Sequence, residues 1–310
     1  MEKESKIYVA GHTGLVGSAI MRRLEKERDK CLVTRTQKEL NLLDQDAVQK
    51  FFEKDKPVYV FLAAARVGGI LENKKHKSEF IYENLQIQNN VIYSAWKHKV
   101  KKLLFFGSSC IYPRDCPQPI KEEYLMTGPL EETNDAYATA KIAGIKMCQS
   151  FNEQYGTEFI SVMPTNLYGH GDNFDLETSH VLPAMIRKFH EAKISGASEV
   201  VLWGTGSPKR EFLHVDDLAD AVVFLMNNYS KSEIVNIGTG EDVSIHELAE
   251  LIKEITGFNG TIVWDFEKPD GTPRKWLNVD KLHSLGWKHS ISLEDGVQRT
   301  YEWFLKNYSG

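Results

Sequence analysis

Tyr137 and Lys141, in the segment NDAYATAKIAG, stand four residues apart, so a helix carries both on one face. A phenol titrates at about 10 and works poorly as donor or base at neutral pH unless its anion is stabilised, which a neighbouring ammonium does. Such a pair can pass a proton to a carbonyl oxygen during hydride transfer. Y-x-x-x-K alone occurs by chance in many amphipathic helices, and its weight here comes from what precedes it. The segment GSSCIYPRD (107–115) follows the apolar run KLLFF and sets Ser108 and Cys110 at the end of a predicted strand. Cysteine in such a place is more often a small buried apolar residue than a catalyst. A thiol lowered by nearby cations is nonetheless a competent base.

Near the start of the chain, Gly11, Gly14 and Gly17 in GHTGLVG follow an apolar run and open an amphipathic one. Glycines so spaced permit a tight turn, let the backbone approach a pyrophosphate and leave helical N–H groups aimed at its charge. The stricter G-x-G-x-x-G spacing is absent. About twenty residues on, where an acid would bond the ribose hydroxyls of NAD, VTRTQKEL offers Arg35 and Lys38 and no acid before Glu39. Cations there suit the 2′-phosphate of NADP.

The elements that must position these residues alternate regularly. KIYVAG, CLVTRT, YVFLAA and KLLFFGSS are strand-like runs separated by longer amphipathic stretches, and EFISVMPT and IVNIGTG continue the series. Repeated βα units predict a parallel sheet with helices on both faces, a doubly wound α/β fold. Two blocks break the rhythm, one from LYGHGDNF through WGTGSPKREF and one from about Asp242 onward. They predict a smaller, discontinuous α+β domain. The expected division is residues 1–166 with about 211–238 for a dinucleotide, and about 167–210 with 239–310 for a substrate.

At 310 residues and 42% hydrophobic, the chain can bury a large core. Its apolar runs are too short for a bilayer, and MEKESK lacks the apolar stretch of a signal peptide, so a soluble, cytoplasmic protein is expected. With 38 basic and 43 acidic residues there is no basic footprint for nucleic acid, which points to a small-molecule partner. Four cysteines without paired metal-ligand spacing are expected to be free thiols, with no metal bound.

The glycine turn, the serine after the fourth strand and Y-x-x-x-K together resemble the extended short-chain dehydrogenase/reductases that act on nucleotide sugars. PTNLYG (164–169) is similar to that family's loop beside the nicotinamide, and REFLHVDD (210–217) to its R-x-F-x-H-V-D-D. The resemblance spans essentially the whole chain and implies a Rossmann-type fold, NADP(H) and a homodimer in which the helix of Tyr137 packs on its mate. It implies that Ser108 and Tyr137 hold the substrate carbonyl and that Lys141 also holds the nicotinamide ribose. The cofactor contacts it implies are Gly11, Thr13, Gly14, Leu15, Val16, Gly17, Arg35, Gly107, Ser108, Lys141, Pro164, Thr165, Asn166, Leu167 and His180.

Further segments, NLLD, GSSCIYP, DNF followed by SHV, WGTGSPKREFLHVDD and KPDGTPRK, resemble the branch that epimerises and reduces GDP-4-keto-6-deoxy-D-mannose. A C4 ketone acidifies the carbons on either side, so inversion at C3 and C5 needs a base on one face and an acid on the other before C4 is reduced. The resemblance gives these roles to Cys110 as base and His180 as acid, with substrate contacts at Lys188, Trp203, Arg210 and Asp270. Plainer readings stand beside these roles. His180 could simply start a helix, Trp203 could be strand packing, and PDGTPR would make a turn in any case. Related members carry arginine at the places of Thr13 and Gln37, which weakens discrimination between NADPH and NADH. The alternatives are a 4-epimerase or 4,6-dehydratase of the same fold and, in another class, an NADP-sensing protein without turnover. A dehydratase would show an Asp-Glu pair where this chain has Ser109 and Cys110.

Overall fold

The computed structural model describes residues 1–27, 31–268 and 270–308. Strand β1 (Lys6–Ala10) leads through the glycine turn into α1 (Leu15–Glu25), followed by β2 (Cys31–Val33), α2 (Gln45–Asp55) and β3 (Tyr59–Leu62). Next come α3 (Ile70–Lys75), α4 (Lys77–Lys97), β4 (Lys102–Phe106), α5 (Asp135–Tyr155) and β5 (Glu158–Pro164). Beyond lie β6 (Asn166–Tyr168), α6 (Val181–Ser195), β7 (Glu199–Trp203), β8 (Lys209–Arg210), β9 (Phe212–His214), α7 (Val215–Asn228) and β10 (Val235–Ile237). The chain continues through β11 (Val243–Ser244), α8 (Ile245–Thr256), β12 (Thr261–Asp265), β13 (Arg274–Lys275), α9 (Asp280–Ser284) and α10 (Leu293–Asn307).

Six strands form one parallel sheet in the order β10-β5-β4-β3-β1-β2. Side chains alternate across a strand, so β1 sends Ile7 and Val9 to one face and Tyr8 and Ala10 to the other. The first face packs on α1 and α7 through Ile20, Leu24 and Val222, and the second on α2, α4 and α5 through Phe52, Val91 and Ile145. Burial on both faces explains why these strands read as nearly continuous apolar runs. This is the doubly wound, Rossmann-type α/β fold expected. After β2 the chain returns to the other side of β1, and that reversal opens a crevice at the strands' C-terminal ends.

A third core gathers Phe189 and Ile186 of α6, Leu248 and Ile252 of α8, Val297 and Phe304 of α10 and Leu202 of β7. It draws on both blocks that broke the βα rhythm. Small sheets β7-β12, β11-β8-β13 and β6-β9 lie outside the main one. The sequence reading had PTNLYG as loop alone, whereas Asn166–Tyr168 pairs in parallel with Phe212–His214.

Candidate active site

The end of β4 is shaped by Gly107, where a Cβ would sit 2.4 Å from Met163 Sδ of β5. The chain then makes one tight turn over Ser109–Ile111, and Ser108 caps it, its hydroxyl accepting from the Cys110 N–H at 3.2 Å. Ser109, Ile111 and Tyr112 are buried, while Ser108 and Cys110 are only partly covered. Tyr112 donates its hydroxyl to Asn236 Oδ1 of β10 at 2.6 Å. Asn236 in turn donates to the Ile120 and Asn278 carbonyls, so this contact ties the site's loop to the sheet edge.

Tyr137 and Lys141 project from the first turns of α5, which lies close to β4 because a Cβ on Gly144 would meet the Phe105 ring at 2.4 Å. Lys141 is buried, donates to the Phe106 carbonyl at 2.9 Å and sits 5.7 Å from the centre of the Tyr137 ring. Burial lowers its ammonium to about 7. Burial and the Cys110 sulfur both push the Tyr137 phenol up, against a hydrogen bond with Ser108 that pulls it down. The sequence expectation was a phenol drawn down by its lysine. Here Lys141 directs its proton to a backbone carbonyl, and burial governs the phenol.

Burial by itself would raise the Cys110 thiol, yet the Lys275 charge and hydrogen bonds with Ser108, Lys275 and Asn134 hold it below the ordinary value. Lys275 Nζ lies 3.2 Å from Cys110 Sγ. His180 stands at the N-cap of α6 with its side chain open to solvent, and the surrounding protein and the Lys275 charge lower its pKa. Thus Ser108, Cys110, Tyr137 and Lys141 form one group, and the Lys275 charge acts on both Cys110 and His180.

The expected substrate contacts lie toward the third core. Lys188 donates to the Val201 carbonyl at 3.0 Å and sits 6.0 Å from the Trp203 ring centre, with Lys268 at 5.6 Å. Trp203 itself ends β7 with half its surface exposed, so it is not strand packing. Asp270 does hold a turn, accepting from the Thr205 N–H at 2.7 Å and the Thr205 hydroxyl at 2.8 Å. Burial lowers Arg210, against the fields of Cys110 and Asp270, which raise it. Lys275, Asn134 and Glu211 were missed in the sequence. Glu211, fully buried, accepts from the Thr239, Gly240 and Leu277 N–H groups and so fixes the strands around Arg210.

At the other end of the crevice, Gly11 adopts φ +82°, and a Cβ on Gly17 would lie 2.1 Å from the Gly11 carbonyl oxygen. Only glycine fits there, and no side chain caps α1, so its N-terminal amides are left for an anion. That cradle suits a dinucleotide pyrophosphate. Arg35 is already engaged, with Asp55 at 2.9 Å, the Thr34 carbonyl at 2.7 Å and the Phe51 ring beneath it. Pro164 ends β5, and Thr165 and Asn166 both donate to the Glu211 carbonyl, fixing the stretch toward Leu167 at the sheet's C-terminal edge. All four cysteines are free thiols.

The sequence profile of the NAD dependent epimerase/dehydratase family matches residues 7–238. A putative GDP-L-fucose synthase 2 of Arabidopsis thaliana is 62% identical over 307 residues, covering 99% of this chain and 94% of its own. The GDP-L-fucose synthase of Escherichia coli K12 is 52% identical over 313 residues, covering 98% of each. Among solved structures, a GDP-mannoheptose C4 reductase from Campylobacter jejuni with NADP bound superposes with a TM-score of 0.90 at 44% identity, covering 98% of this chain and 99% of that one.

Proposed function

The chain belongs to the NAD dependent epimerase/dehydratase family, and from that premise we propose that it converts GDP-4-keto-6-deoxy-D-mannose to GDP-L-fucose by 3,5-epimerisation and reduction at C4. The observation that carries this reading is the Cys110 thiol, 3.2 Å from the Lys275 ammonium, set beside Ser108 and in one group with Tyr137 and Lys141. A plain 4-reductase or 4-epimerase has no use for a second proton-transfer group there.

Bound NADPH supplies the hydride that reduces C4. The glycine turn from Gly11 to Gly17 would hold its pyrophosphate, Lys141 its nicotinamide ribose, and Arg35, on leaving Asp55, its 2′-phosphate. Ser108 and Tyr137 grip the C4 oxygen, first as the partners of an enolate and then of the developing alkoxide. Cys110 removes the proton from C3 and from C5 in turn, His180 returns one on the opposite face each time, and between the two rounds the thiol loses its proton to solvent and His180 regains one. Tyr137, kept protonated by burial, gives its proton to the C4 oxygen on reduction. Lys188, Trp203, Arg210 and Asp270 bind the GDP half, where a guanidinium can fork onto a diphosphate.

In this reading, residues 1–166 and about 211–238 form the cofactor half, and about 167–210 with 239–310 the nucleotide-sugar half. The protein acts as a homodimer in the cytoplasm. Incubation of the purified protein with GDP-4-keto-6-deoxymannose and NADPH, with the product identified by NMR, tests the function. One NADPH oxidised per GDP-L-fucose formed is expected, and no oxidation overturns the assignment.

A further inference from the structure

Two cations around the small cavity beside Cys110 are committed elsewhere. Arg274 is clamped on Asp242 at 2.6 and 3.0 Å, and Arg114 faces Glu131 at 3.5 Å. Lys275 follows Arg274 on β13 and points the opposite way, as successive strand residues must. Among the described residues its side chain has no carboxylate partner, and its hydrogen bond goes to the Cys110 sulfur at 3.2 Å. Strand β13 is held in place by parallel pairing with β8, Arg274 opposite Lys209 and Lys275 opposite Arg210. Lys275 is partly buried, so solvent screens it less than a surface lysine. A cation so placed, facing a thiol and no acid, makes the thiolate its natural counter-charge.

We propose that Lys275 is the positioning residue that turns Cys110 into a base, its ammonium pairing with the sulfur as thiolate. The inference rests on the epimerase reading of Cys110. In the step it serves, the C–H bond at C3 or C5 breaks and an S–H bond forms. The electron pair passes into an enolate whose oxygen is held by Ser108 and Tyr137, so the negative charge moves from sulfur to oxygen.

The other groups facing the sulfur agree with this assignment. Arg210 from β8 adds positive charge, Ser108 and Asn134 favour the thiolate, and Tyr137 from α5 stays neutral. Lys275 also acts on Cys116, whose thiol burial raises, and on His180, which it makes a readier proton donor. A lysine that served only the substrate diphosphate would leave the sulfur's reactivity untouched.

The test is alkylation of the ligand-free protein by iodoacetamide across about pH 5 to 10, reading the Cys110 peptide by mass spectrometry, for wild type, Lys275→Gln and Lys275→Arg. Lys275→Gln is expected to move the Cys110 inflection up by about one pH unit and to slow alkylation at neutral pH about tenfold. Lys275→Arg keeps the charge and most of the reactivity, while exposed Cys31 alkylates alike in all three. Superimposable Cys110 profiles for wild type and Lys275→Gln overturn the inference, as does an arginine variant as slow as the glutamine one. The readout involves neither sugar nor cofactor, so its result is independent of whether product forms.

Discussion

Tyr137 keeps its proton through the neutral range because burial and the neighbouring sulfur both disfavour the phenolate. It is therefore set to donate. Tyr137→Phe is expected to lower NADPH oxidation by roughly 10²- to 10⁴-fold, the usual worth of a positioned acid, with the fold intact by circular dichroism. Oxidation within a few-fold of wild type would remove Tyr137 from the reaction. Lys141 makes a separate prediction through stability. Its ammonium falls from the model-compound value of 10.5 to about 7 on folding, so between those values the unfolded chain binds the proton and the native one does not. Stability from this group therefore drops as pH falls from 10.5 to about 7 and then levels off. Relative to wild type, Lys141→Met should gain stability as pH falls through that window, measured by urea denaturation at several pH values. A difference that does not change with pH contradicts the burial argument.

Among the elements, the turn from β1 into α1 admits the sharpest test. A Cβ on Gly17 meets the Gly11 carbonyl oxygen at 2.1 Å, and backbone must shift to make room. Gly17→Ala should weaken NADPH binding at least about tenfold, or about 1.4 kcal/mol, by fluorescence titration; unchanged affinity would mean that the turn does not hold the cofactor. This turn was legible because the close approach of Gly17 to Gly11 lies within seven residues of sequence, GHTGLVG. The same locality made Ser108, Cys110 and the Tyr137–Lys141 pair readable. What escaped notice arrives by tertiary pairing: Lys275 reaches Cys110 from 165 positions away because β13 pairs with β8. Tyr112 meets Asn236 across 124 positions, and Asp55 engages Arg35 across 20. Nothing in the local pattern of KPDGTPRK distinguishes the lysine that faces a thiol from the arginine that faces Asp242.

In the molecule as a whole, the parallel sheet was legible from its strand runs, since two buried faces leave little polar residue in them. The third core was harder to see, because its contributors are separated by α7 and β10 and meet only when the sheet is complete. Tyr82 and Tyr93 on α4 and Tyr155 on α5 remain exposed on the paired helices, which is the face expected to meet a second copy. Sedimentation equilibrium should give twice the chain mass of 35.4 kDa, and Tyr82→Asp with Tyr155→Asp should shift it toward monomer. A wild-type monomer at working concentration would contradict the homodimer.

The central claim is that one cleft performs both proton exchange beside the ketone and its reduction. The most direct measurement is to run the reaction with NADPH in deuterium oxide, for wild type and Cys110→Ser, and to locate the deuterium in the product by NMR. The account predicts GDP-L-fucose carrying deuterium at C3 and C5 from the wild type, and no exchange at either carbon with the serine variant. A reduced sugar without deuterium at those carbons from the wild type, or undiminished exchange in Cys110→Ser, would contradict it.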